Sequence, residues 1–244
     1  MTEAPFVKRI DVSEGALRFR IEVAKALCME RALEACPTMS TPRLLEADEV
    51  KGELVFERIK DPQPLRPDMP CRRFEDVGSL LSFIHQELRL PSELTIVRKV
   101  DEGCDSLVYI HGDFQPGNLA ISGDQLVVFD WGVRPWGDEM FTCSSPVVDL
   151  ASFLAPWFLP RWWDLRFPVA SLRAFVASYL ASSSAQIRAS VTNSSLQSAM
   201  QEHYLYHKCV LASSRQPARS LHFLKTLINT WRFNRELLAG IDNG

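Results

Sequence analysis

The segment His111–Gly132, HGDFQPGNLAISGDQLVVFDWG, holds the residue types that do chemistry. Leu119–Ile121 and Leu126–Phe129 read as two short apolar strands, and Ser122-Gly123-Asp124-Gln125 between them is turn-forming. An antiparallel hairpin brings its open ends together, so Asn118 and Asp130 should lie side by side. Both offer oxygen ligands to Mg²⁺, which takes one or two protein carboxylates and completes its shell with water and phosphate. Asp113 lies five residues before Asn118, in a loop with Gly112, Pro116 and Gly117 that follows the strand Leu107–Ile110. It is the candidate to accept a proton from an attacking hydroxyl while Asn118 and Asp130 hold the metal.

Other elements must position these groups. Pro5–Ile10 reads as a strand that carries Lys8. From Ser13 to Cys36 the apolar residues Leu17, Ile21, Ala24, Leu27, Cys28 and Leu33 recur at helical spacing, with Ser13 as N-cap and Pro37 as terminator. Leu44-Leu45 and Leu54–Phe56 are short strands around a Lys51-Gly52 turn. Residues 60–72 hold four prolines and read as a hinge. Asp76–Leu88 is a helix. Beyond residue 148 the pattern is helical: Val148–Phe158, Val169–Ser182, Leu196–Ala212 and Ala218–Leu238, with loops at Ser182–Ser184 and Asn193–Ser195. The organisation is a small mixed unit at 1–60, a linker at 61–73 and a larger, mostly helical unit at 74–244.

The 244 residues are 46% hydrophobic and 23% charged, an ordinary globular composition that excludes disordered, collagen-like and coiled-coil chains. Net charge of −3 argues against nucleic-acid binding. No apolar run reaches the length of a membrane span, and the N-terminus has no apolar leader, so a cytoplasmic protein is expected. The six cysteines have no metal or pairing spacing and read as reduced thiols. Residues 150–244 carry ten Lys/Arg against four Asp/Glu, whereas residues 1–122 carry 16 against 21. No Walker-type or dinucleotide-binding glycine pattern occurs.

Several residues admit two readings. His111 is either a base or a structural hydrogen-bonder; Asp149 is a metal ligand, a helix cap or a brace for the catalytic loop. Lys8 is a phosphate contact or a surface lysine. His203 and His207 stand at i, i+4 but lack the glutamate of a zinc motif. Trp157, Trp162 and Trp163 either pack the core or line a site.

HGDFQPGN followed by FDWG resembles the catalytic and metal-binding loops of the aminoglycoside phosphotransferase family, whose protein-kinase relatives write H-R-D-x-x-x-x-N and D-F-G. Asp149-Leu150-Ala151, the hinge-like Phe56-Glu57-Arg58-Ile59, Leu80–His85 and Glu30–Leu33 extend the resemblance over residues 6–160. It implies an α+β, protein-kinase-like two-lobe fold with a reduced N-lobe sheet and a mostly helical C-lobe. It also implies transfer of phosphate from ATP, with Mg²⁺, to a hydroxyl of a small molecule. Asp113 would be catalytic and Asn118 and Asp130 would be metal ligands. Lys8, positioned by Glu30 (with Glu22 and Glu34 as rivals), would meet the phosphates, and Glu57 the base. His111 and Asp149 would give structural support. The family places two strands and a phosphate-covering loop before the lysine strand. Only Met1 to Pro5 stand there, so the expectation is a sheet of about three strands, Lys8 near its edge and phosphates open to water. The alternative is a degenerate kinase-fold protein that binds a nucleotide or partner without turnover. The basic balance of residues 150–244 favours a sugar-like, neutral or anionic acceptor over a polycationic aminoglycoside.

Overall fold

The computed structural model describes residues 4–11, 16–101, 103–104, 106–133, 139–158 and 168–213. Ser13, Trp162, Trp163 and the segment Ala218–Leu238 lie outside them, as does the side chain of His207.

The chain opens with β1 (Phe6–Arg9), the helix α1 (Ala16–Leu33) and the strands β2 (Met39–Ser40), β3 (Leu44–Asp48) and β4 (Glu53–Phe56). β1, β4 and β3 form an antiparallel three-stranded sheet in that order, with Lys8 opposite Leu54 and Phe6 opposite Phe56. β1 and β3 are its outer strands. The turn between β3 and β4 is fixed by Asp48, whose carboxylate accepts from the backbone N–H of Val50 and Lys51.

Next come β5 (Gln63–Pro64) and α2 (Cys71–Glu87), then β6 (Val108–Tyr109), β7 (Leu119–Ser122), β8 (Gln125–Val128) and β9 (Cys143–Ser144). β7 and β8 are the hairpin read from the sequence, closed at Ser122 opposite Gln125. Gly123 in the two-residue turn has φ +59, which a glycine adopts without strain. β2 joins β8 in parallel and β5 joins β7, giving the order β2-β8-β7-β5. The proline-rich linker thus lays a strand on the catalytic hairpin. Pro64 sits on the sheet edge, where its missing N–H costs no ladder bond.

The helices α3 (Val147–Phe158), α4 (Val169–Ser182), α5 (Ala185–Ser190) and α6 (Asn193–Ser213) complete the described chain. α2 starts five residues earlier than the sequence reading, directly after Pro70, because Phe74 extends its buried face one turn before Val77. α5 was not expected; Ser184 caps it by accepting from the Ile187 N–H. Asn193–Ser195, read as a loop, is the first turn of α6. α2 packs directly on α4, since a Cβ at Gly78 would lie 2.3 Å from the Phe175 carbonyl oxygen. Trp157 packs against Phe74 and Phe153 in the core.

α1 presents part of the face read in the sequence: Ile21 and Leu33 are buried, and Ala24 and Cys28 pack half-buried against the core. Its buried residues are Phe19, Ile21, Glu22, Lys25, Ala26, Met29 and Leu33, while Leu17 and Leu27 are exposed. Two ionisable side chains sit within the buried stripe, and both serve the site.

Candidate active site

β6 delivers the chain to His111, and the loop that follows is held through its backbone. Asp149, in the first turn of α3, is fully buried. Its carboxylate accepts from the N–H groups of His111 (2.6 Å) and Gly112 (3.1 Å) and lies 3.1 Å from His85 Nε2. His85 Nδ1 is 2.8 Å from the Tyr179 hydroxyl. Burial alone would lift the Asp149 pKa; the hydrogen bond and charge of His85, with the N–H donors, outweigh it and hold the carboxyl below its usual range. Of its three sequence readings, the geometry is that of a loop brace.

The His111 ring is buried, tilted against Trp131 at 4.5 Å and edge-on to Phe114 at 5.5 Å. Its Nδ1 accepts from the Asp113 N–H at 3.2 Å. Burial lowers its pKa to about 4, so it is neutral near pH 7 with its accepting nitrogen already engaged. That suits a loop-shaping group rather than a base.

Asp113 is half-buried at the end of this loop. Asn118 Nδ2 donates to its Oδ2 (2.7 Å) and to its backbone carbonyl (2.8 Å), and Gln115 donates to Oδ2 at 3.1 Å. Burial raises the Asp113 pKa against these hydrogen bonds, and the Asp130 charge raises it further. A carboxylate lifted in this way is a stronger proton acceptor. Because Nδ2 faces Asp113, the Asn118 carboxamide oxygen is turned away from it. The Phe129 N–H donates to the Asn118 carbonyl at 3.1 Å, joining the two open ends of the hairpin.

Asp130 follows β8 with φ +62, a left-handed conformation that aspartate tolerates better than most residues. Its carboxylate is 43% exposed and accepts from Lys8 Nζ at 2.5 Å. The same ammonium donates to Glu22 at 2.5 Å, and Glu22, 2% exposed, also accepts from Arg18 at 3.2 Å. Burial works against the Lys8 charge, but the Glu22 and Asp130 carboxylates outweigh it and raise the pKa. The assignment of Glu30 as partner of Lys8 is corrected here. Eight residues along a helix is about 12 Å. Glu30 lies at the far end of α1, where it accepts from the Leu44 N–H at 3.2 Å.

Sequence reasoning missed Lys25. One turn after Glu22 and fully buried, its ammonium donates to the carbonyls of His111 (3.0 Å) and Gly132 (2.6 Å). Burial pulls its pKa down to about 8. The two loops touch beside it: a Cβ at Gly112 would stand 2.5 Å from the Gly132 carbonyl oxygen, and one at Gly132 would stand 2.7 Å from the Gly112 oxygen. The signal was available, since Glu22, Lys25, Met29 and Leu33 share one helical stripe.

A cleft of 340 Å³ opens beside these groups. Phe6, Phe56, Ile59 and Phe129 give it apolar walls, and Lys8, Glu22 and Asp130 stand at one side. Phe6 and Lys8 are two apart on β1 and so share a face. Glu57 lines the cleft too, but its N–H is committed to the Arg43 carbonyl (2.9 Å) and its exposed carboxylate lies 3.7 Å from Arg43 Nε. Among the described residues, no group of three or more His, Cys, Asp or Glu side chains forms a metal cage. No described helix is long and apolar enough to cross a membrane.

Residues 98–189, which hold both loops, match the family model described as phosphotransferase enzyme family. Choline kinase LicA from Streptococcus pneumoniae superposes with a TM-score of 0.53 at 15% identity, over 92% of this chain and 85% of that one. The chain shares the fold of this kinase. A glucosamine kinase gives a TM-score of 0.55 at 14% identity, covering 85% of this chain and 68% of its own. The amicoumacin kinase hAmiN, solved with AMP-PNP, Ca²⁺ and Ami, gives 0.54 at 12% identity, covering 90% and 78%. No curated protein sequence matches this kinase-fold chain.

Proposed function

We propose that the chain transfers the terminal phosphoryl group of ATP to a hydroxyl group of a small molecule. The carrying observation is that Lys8 and Asp130 meet at the polar side of the apolar cleft, with Asp113 held in the adjoining loop. The cleft takes the base between apolar walls, and Lys8 leaves Asp130 for the phosphates. Asp113 accepts the hydroxyl proton as the acceptor oxygen bonds to phosphorus and ADP departs. Positioning and charge supply most of such a reaction.

The donor set fits Mg²⁺. Asp130 is an exposed carboxylate that accepts from the Lys8 ammonium, and the Asn118 oxygen is turned from Asp113. Two oxygen donors without a cage suit an ion that arrives with the nucleotide and draws its remaining ligands from phosphate and water. When bound, Mg²⁺ supplies charge neutralisation on the phosphate oxygens. For the acceptor, the ten Lys/Arg against four Asp/Glu in residues 150–244 favour a sugar-like, neutral or anionic compound over a polycation. The chain works in the cytoplasm on this reading.

Calorimetry with AMP-PNP, with and without Mg²⁺, followed by transfer of radiolabelled phosphate to a panel of sugars, amino alcohols and phosphorylated metabolites, tests the proposal. Metal-dependent binding and a labelled hydroxyl product are expected. Binding without label transfer to any acceptor or to water would instead favour the degenerate kinase-fold reading.

A further inference from the structure

We infer that Lys25 is a positioning residue for phosphoryl transfer, locking the catalytic loop, the metal loop and the lysine-holding helix into one unit. The inference rests on the kinase reading above. It goes beyond the Lys8–Glu22 contact, because Lys25 reaches no group that would touch ATP.

The geometry carries it. Lys25 stands at i+3 from Glu22, so one face of α1 holds both the carboxylate that fixes Lys8 and the ammonium that fixes the loops. The His111 carbonyl accepts from Lys25 and also from the Gly132 N–H at 3.1 Å, while the Gly132 carbonyl accepts from Lys25 at 2.6 Å. Lys25 therefore closes a ring of main-chain groups whose members lie two residues from Asp113 and from Asp130. A fully buried ammonium is costly, and this one is set between carbonyl oxygens, with the Asp149 and Glu22 carboxylates acting to keep it charged. A purely apolar side chain would pack the same stripe at less cost, as Met29 and Leu33 do. What the ammonium supplies, and an apolar side chain cannot, is a pair of donors to two loops at once. The distance between base and metal ligand, and their placement against Lys8, are then set from one atom.

The test compares wild type with Lys25→Met, which keeps the length and apolar stem, and Lys25→Gln, which keeps a donor. ATP hydrolysis in Mg²⁺ gives kcat and KM, and hydrogen exchange is followed by mass spectrometry. For Lys25→Met we expect a kcat loss of about 30-fold or more with KM for ATP within about threefold, since misplacement acts on the reacting geometry rather than on binding. Exchange should rise in peptides covering 110–133 but not in α2 or α4. Lys25→Gln should fall between and remains informative if Lys25→Met folds poorly. A kcat within threefold of wild type, unchanged exchange at 110–133, or exchange that rises throughout with KM and kcat lost together would overturn the inference. Failure of the kinase reading looks different: wild type itself would then turn over no ATP, whether or not it binds AMP-PNP.

Discussion

Replacing Glu22 by Gln separates the partner seen in the structure from Glu30, the one the resemblance implied. Glu22 makes two charge-assisted contacts, to Lys8 at 2.5 Å and to Arg18 at 3.2 Å, and is 2% exposed. Each such bond contributes roughly 1.5–3 kcal/mol. Glutamine keeps a neutral acceptor, worth about half as much. Lys8 is not orphaned, because it retains Asp130, so the full cost of breaking a buried pair, about 3–5 kcal/mol, does not apply. The net loss at Lys8 is about 1 kcal/mol, or roughly fivefold in an equilibrium constant. That loss should appear in nucleotide affinity, because Lys8 must leave Asp130 when phosphate arrives and Glu22 is what holds it in place meanwhile. Glu30→Gln keeps an acceptor for the Leu44 N–H and should change affinity less than about threefold. Calorimetry with Mg²⁺ and AMP-PNP on both variants decides. Equal effects, or a larger effect at Glu30, would refute the assignment of Glu22.

Asp113→Ala should abolish label transfer while AMP-PNP affinity stays within a few-fold, because the base acts on the acceptor. In wild type the acid limb of the rate profile should lie above the ordinary carboxylate range, since burial raises Asp113 and activity needs its ionised form. Asp130→Asn should weaken metal-dependent nucleotide binding and leave metal-free binding nearly unchanged, as titrations with and without EDTA will show. Asp149→Ala strands the N–H donors of His111 and Gly112 and should cost about 3–5 kcal/mol in urea unfolding. The Asp149 pKa is depressed in the fold. Its contribution is therefore present above the unfolded carboxyl value and lost as pH falls through the folded one, and Asp149→Asn should flatten that acid limb. Phosphate release from ATP without acceptor should be measurable, because the Asp130 carboxylate is 43% exposed; a rate equal to that of Asp113→Ala would argue against it.

The hairpin β7–β8 and the residues at its mouth were legible because two short-range rules agree there: apolar strands and a Gly-Asp turn between them. The helix α1 was legible as an element and only in part as a face. Its buried stripe runs Phe19, Glu22, Ala26, Met29, Leu33 in steps of three and four, and Glu22 and Lys25 interrupt the apolar signal where the helix meets the site. Leu17 and Leu27, read into the same face as Ile21 and Leu33, are exposed. β6 lies within the strand read at Leu107–Ile110, whereas the two-residue strands β2, β5 and β9 have no periodicity to read. They exist because the long-range partners β8, β7 and β6 offer main-chain bonds. Lys25 was invisible for a related reason: a lysine in a helix reads as solvated unless the stripe through it is traced.

The same contacts explain why glycine stands at positions 112 and 132 of the motif. The catalytic loop is held on its N–H side by the Asp149 carboxylate and on its carbonyl side by the Lys25 ammonium, an anion for the donors and a cation for the acceptors. Both grips act on main-chain atoms, so they leave the Asp113 side chain outside the clamp. They also require the metal loop to approach until the Gly132 N–H reaches the His111 carbonyl at 3.1 Å. At that separation a Cβ at either glycine would meet the opposite backbone at 2.5 or 2.7 Å, and Gly112 further needs φ +85. The HGD and DWG sequences are therefore two halves of one backbone contact, and Lys25, far from both in the chain, is the side chain that spans it.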